Sequence, residues 1–135
     1  MALILDADVI IRGEKGLFDL AGWCATKSTD RFMIAAITVA ELWHGVERAR
    51  EPHRQRRMRY LRTFLAPLPV LPYTAQTALV HGRIWAAVES GGKMISAYDL
   101  VVAATALEHV CGVCTFNTRH YRNVPGLEVV EPGQD

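Results

Sequence analysis

The chain has 135 residues, half of them hydrophobic, with 15 Lys and Arg against 14 Asp and Glu for a net charge of +1. That length suits a single domain spanning 1–135 and is too short for two ordinary ones, and the apolar content excludes a disordered chain. A net charge near zero says little about partners, so the distribution of charge along the chain carries the information.

The first element lies in Met1-Ala2-Leu3-Ile4-Leu5-Asp6-Ala7-Asp8-Val9-Ile10-Ile11. Such an aliphatic run predicts a central strand near residues 2 to 6, covered on both faces as in parallel sheets. Asp is a poor strand former, so Asp6 marks the carboxyl end, the edge at which open α/β sheets bind ligands. Asp6 and Asp8 equally suit a turn. They also interrupt the apolar core a signal peptide needs, and no apolar run is long enough to span a bilayer, so the expectation is a soluble, cytoplasmic chain with no membrane contact.

A helical segment is expected near 14 to 25, with Cys24 beside Trp23 in the core, followed by a buried strand near 32 to 37. That strand passes into helix through Ile37-Thr38-Val39-Ala40-Glu41. Thr38 with Glu41 three residues later has the spacing of a capping box, in which Glu pairs with a free helix amide. A carboxylate in the first helical turn is also kept ionised by the helix dipole and available to a cation. Spacing alone does not separate cap from ligand.

Helices near 39 to 50 and 53 to 65 form the next unit, and seven of the twelve arginines fall between Arg48 and Arg62. Pro52 suits a helix start, and Met58, Leu61 and Leu65 recur at helical spacing, so the arginines should lie on the exposed side of a helical hairpin. Arg54, Arg56 and Arg57 at its centre suit phosphate oxygens of RNA or an acidic partner, and equally a solvated face. His44 and His81 read as ordinary helical-face residues.

A short strand at Val70-Leu71 and a helix from Thr74 to Ser90, closed by Gly91-Gly92, precede the last helix. There Ser96 is the expected N-cap and Asp99 the third helical position. From Leu100 to Leu107 that helix is apolar on nearly every face, which predicts a core helix presenting Asp99 from the interior. Cys111-Gly112-Val113-Cys114 leads into a strand, not a helix, and with three cysteines in all the reading is reduced, buried thiols. Strands near 112 to 116 and 127 to 130 complete an alternating pattern, a three-layer α/β/α sandwich on a central, mainly parallel sheet. If the fold gathers Asp6, Glu41 and Asp99, a bound cation is the simplest way to keep three like charges ionised, which is the mark of a metal-dependent hydrolase.

Four segments in order, Leu5-Asp6-Ala7-Asp8-Val9, Thr38-Val39-Ala40-Glu41-Leu42, Tyr98-Asp99-Leu100 through Leu107, and Thr115-Phe116-Asn117-Thr118-Arg119-His120-Tyr121 with Val124-Pro125-Gly126-Leu127, resemble the PIN domain and within it the toxin nucleases of VapBC toxin-antitoxin pairs. The resemblance implies an endoribonuclease binding magnesium or manganese, a homodimer, and a cognate VapB-like antitoxin. By position it makes Asp6 and Asp99 metal ligands and Glu41 the glutamate of the Thr-x-x-Glu segment, with Thr38 beside it and Asp8 in support of Asp6. The last segment departs from the family's acidic form. Many members carry Asp in that segment, where this chain has Asn117, Thr118 and His120, so Asn117 is expected to offer its oxygen, and one ion fits better than two. A PIN-like module that binds RNA or a partner without cutting remains an alternative, as does an aspartyl-phosphate phosphatase with Asp6 as nucleophile, since Ile4-Leu5-Asp6-Ala7-Asp8 resembles the haloacid dehalogenase type there alone.

Overall fold

A computed structural model describes residues 1–133. Five strands lie in the order β3-β2-β1-β4-β5 and every neighbouring pair is parallel. They are β1 (Ala2–Leu5), β2 (Arg31–Ala35), β3 (Val70–Leu71), β4 (Gly112–Cys114) and β5 (Val129–Val130). Seven helices cover them among the described residues: α1 (Ala7–Glu14), α2 (Leu20–Ala25), α3 (Ala36–Arg48), α4 (His53–Leu65), α5 (Ala75–Ser90), α6 (Ala97–Glu108) and α7 (Thr118–Tyr121).

Alternation along the strands produces the two cores. Leu3 and Leu5 of β1 and Ile34 of β2 join α1, α3 and α4 on one face, while Ile4, Met33 and Val113 pack with α5, α6 and Tyr121 on the other. Successive side chains of a strand point to opposite faces, so each central strand feeds both cores and has no solvated side. The three layers are those expected. Among the described residues, no helix is long and apolar enough to cross a membrane.

Boundaries differ where helix follows strand without a loop. The first strand, expected near residues 2 to 6, ends at Leu5, because Asp6 caps a helix that begins at the very next residue. The single segment expected near 14 to 25 is instead the end of α1, a turn and the short α2. The second strand stops at Ala35 and α3 begins at Ala36, ahead of the expected 39. The final strands are shorter than expected, and α7 occupies a segment read as a connection.

The capping box is overturned by the same shift. With Ala35 as N-cap and no side-chain cap, Thr38 and Glu41 fall at the third and sixth helical positions, so Glu41 lies beyond the unpaired first-turn amides. At α6 the expected cap holds: the Ser96 hydroxyl accepts from the Asp99 amide at 3.1 Å. The α6 core is buried from Val102 to Ala106, but Asp99 is half-buried, at the boundary of the core and not within it. The thiols of Cys111 and Cys114 are free and buried, and Cys24 is free and half-buried.

Candidate active site

The carboxyl edge of the sheet gathers the ends of β1, β2 and β4. Asp6, immediately after β1, is only 6% exposed. Its Oδ1 accepts from the Ala7 amide at 2.9 Å and its Oδ2 from the Thr115 hydroxyl at 2.9 Å. Asp8, in the first turn of α1, accepts from the Phe116 amide at 3.1 Å and lies 3.4 Å from the same hydroxyl. Thr115 has one proton to give, and the shorter contact directs it to Asp6. The Thr115 oxygen in turn accepts from the Asn117 amide at 3.0 Å.

Asp99 reaches the cluster from α6 and is held through Tyr121, whose hydroxyl donates to Asp99 Oδ1 at 3.1 Å. Tyr121 is fully buried. Burial first, then the charges of Asp6 and Asp99, drive its pKa far above the ordinary phenol value, so it remains a donor at any physiological pH. Glu41 arrives from the second turn of α3. Its Oε1 is buried with no hydrogen-bond partner, and one helical turn earlier the Thr38 hydroxyl oxygen is in the same state.

The acids sense one another. Burial, then repulsion from Asp8, raises Asp6 from 3.8 to about 6, against the opposing Thr115 hydrogen bond, and Asp99 adds to the rise. Glu41 climbs from 4.5 to about 7 through burial and then the charges of Asp6 and Asp99. Burial likewise raises Asp8, opposed chiefly by the Phe116 amide. Side chains 35 or more positions apart in sequence thus share one electrostatic site.

Among the described residues, no set of three or more His, Cys, Asp or Glu side chains is arranged to hold a metal ion as it stands. The donors nonetheless fit a hard divalent cation. They are all oxygens, their mutual repulsion is relieved by positive charge, and Glu41 offers a buried oxygen that lacks a donor. Hydrogen bonds to Ala7, Thr115 and Tyr121 orient the other two carboxylates, as outer partners do around metal ligands.

The remaining sequence candidates have other partners. Asn117 is exposed at the start of α7, and its side-chain amide contacts His120 Nδ1 at 3.1 Å. Arg57 is committed to structure, its Nε donating to Glu14 at 3.0 Å and its Nη1 to the Gly45 carbonyl at 3.3 Å. Arg54 pairs with Glu47 at 3.3 Å in solvent, and Arg56 contacts His53. Sequence reasoning gave no role to Thr115 or Tyr121. Thr115 ends β4 as Asp6 ends β1, so the sheet-edge rule was a signal that pointed to it.

The chain matches the PIN domain over residues 3–126. It is 27% identical over 131 residues to a protein of Rickettsia bellii named Ribonuclease VapC, covering 96% of each chain. To the tRNA(fMet)-specific endonuclease VapC of Salmonella typhimurium it is 31% identical over 102 residues, 76% of each. The fold superimposes on DNA-bound VapBC from Salmonella typhimurium with a TM-score of 0.85 at 26% identity, covering 97% of this chain and 98% of that one. VapBC2 from Rickettsia felis, bound to a DNA fragment from its promoter, has a TM-score of 0.89 at 20% identity over 97% and 98%.

Proposed function

The chain belongs to the PIN-domain family, among the VapC ribonucleases, and on that membership we propose that it is the toxin of a toxin-antitoxin pair, an endoribonuclease hydrolysing RNA phosphodiester bonds with a divalent cation at Asp6, Asp99 and Glu41. The observation that carries the metal assignment is the orphaned buried oxygen of Glu41 facing a cluster of mutually repelling acids. Magnesium or manganese bound there supplies positive charge to the phosphate and eases deprotonation of an attacking water.

The protein's own groups prepare that chemistry. Thr115 and the Ala7 amide fix both oxygens of Asp6, and Tyr121 fixes one oxygen of Asp99 while leaving the other open. Asp8, tied to the Phe116 amide, adds negative charge beside Asp6 and holds the β4 end against α1. Thr38 lies one turn before Glu41 with a free hydroxyl that can support it or a bound water. Asn117, whose backbone amide donates to the Thr115 hydroxyl oxygen and whose side chain contacts His120, offers a neutral oxygen in place of a fourth acid, which fits one ion better than two. The reading includes a homodimer in the cytoplasm, neutralised by a VapB-like antitoxin, in keeping with the VapBC complexes of the structural relatives.

Purified protein incubated with total RNA, in magnesium, in manganese and in chelator, tests the assignment beside the Asp99→Asn variant. Cleavage is expected in either metal and in neither chelator nor variant. Metal-independent binding without turnover would overturn it in favour of a non-cleaving RNA module, and full Asp99→Asn activity would remove the proposed centre.

A further inference from the structure

Two clefts share Glu41 and His44 in their walls. One, of about 330 Å³, is lined by Ile37, Ala40, Glu41, His44 and Tyr98. A second, of about 440 Å³, shares Glu41 and His44 and runs past Gly45 to Arg48, Arg50 and His53. Glu41 thus lines one cleft with Tyr98 and the other with Arg48 and Arg50. Each cleft is in the range of small-ligand sites, about 300–1,000 Å³.

The arginines of the hairpin are not equivalent. Arg54, Arg56 and Arg57 are engaged by Glu47, His53 and Glu14. Arg48 and Arg50 form no ion pair among the described residues, and both line the cleft that starts at Glu41. In the other cleft Tyr98 is 58% exposed and makes no ring contact among the described residues. An open aromatic face beside apolar Ile37 and Ala40 offers a stacking surface to a flat ligand.

We propose that this groove binds a single strand of RNA, with one base stacked on Tyr98 and the backbone beyond Glu41 held at its phosphates by Arg48 and Arg50. The placement rests on the nuclease reading, and it puts the phosphate between the two anchors beside Glu41, the site carboxylate that lines both clefts. Stacking on a protein ring requires an exposed base face, which paired A-form RNA does not offer, so the groove selects unpaired segments. Arginines without carboxylate partners are free to meet phosphate oxygens in forked geometry.

Binding of a labelled, unstructured oligoribonucleotide, followed by fluorescence anisotropy in chelator across a salt series, separates the two anchors without requiring turnover. Tyr98→Ala is expected to weaken binding about tenfold with an unchanged salt slope, while Tyr98→Phe stays near wild type. The Arg48→Ala/Arg50→Ala protein should lower the slope of log affinity against log salt by about 1.4, at about 0.7 per phosphate on a single strand. Duplex RNA of the same sequence should bind more weakly. Equal affinity of the wild-type and Tyr98→Ala proteins, an unchanged slope in the double variant, or duplex bound as tightly as single strand overturns the proposal. Tyr98-dependent binding without metal-dependent cleavage would refute the nuclease reading alone; cleavage indifferent to Tyr98 would refute this placement alone.

Discussion

Replacing Asp6 with Asn removes a charge that the fold disfavours, and the change should trade activity for stability. In the metal-free protein Asp6 titrates at about 6, against 3.8 ordinarily. It therefore binds its proton more tightly folded than unfolded. Stability from this residue is fully present below roughly pH 4, falls as pH rises toward 6, and above that the ionised group costs about 3 kcal/mol. Asn keeps an oxygen for the Ala7 amide but cannot accept the Thr115 proton in the same way, which returns about 1 kcal/mol. In chelator at pH 8 the net expectation is a gain of about 1–2 kcal/mol for Asp6→Asn. For 135 residues each kcal/mol moves Tm by roughly 3–4 °C, so the variant should melt about 3–8 °C higher. Thermal melts at pH 4 and pH 8, with and without saturating magnesium, supply the assay. The advantage should vanish near pH 4, where the wild-type group is protonated, and reverse in magnesium, which binds the native wild-type site and stabilises it by mass action. A variant that melts no higher than wild type at pH 8 in chelator, or whose advantage ignores pH, would refute the claim that the fold holds this charge against burial and the repulsion of its neighbours.

Thr115→Val should lower RNA cleavage by about 10–100-fold with the fold retained, since it removes the hydroxyl that orients Asp6, while Thr115→Ser should recover most of the rate. Single-turnover cleavage checks both. Arg57→Ala should destabilise by roughly 1–3 kcal/mol in urea unfolding, because Glu14 and the Gly45 carbonyl lose a partly buried donor; Arg54→Ala, a solvent-exposed pair, should fall within about 0.5 kcal/mol of wild type.

Legibility followed locality. The α/β/α layering was readable because the alternation that loads two cores is written into Leu3, Ile4 and Leu5 themselves. Ser96 and Asp99 were placed correctly, since a cap and its amide are neighbours in sequence. Thr38 and Glu41 misled as a cap because β2 gives way to α3 at Ala36 with no turn residue to announce it, so the frame of the helix was out of register. Thr115 and Tyr121 stayed without roles because a hydroxyl acquires one only from what it faces, and their partners lie 109 and 22 positions away. The arginine run was visible from the start. Which of its members are spoken for depended on Glu14 and Glu47 arriving opposite Arg57 and Arg54.

Patterns of apolar residues determined, unaided, that this chain forms a layered α/β fold with acids at the sheet's carboxyl edge, because burial acts on each segment through its own periodicity. Only the folded arrangement decided that Asp6, Glu41 and Asp99 repel one another, that one Glu41 oxygen is left bare, and that Tyr98 and Arg48 open onto the same acid. Electrostatic coupling and cleft shape depend on distances through space, and distances between remote residues exist only once the chain has closed on itself.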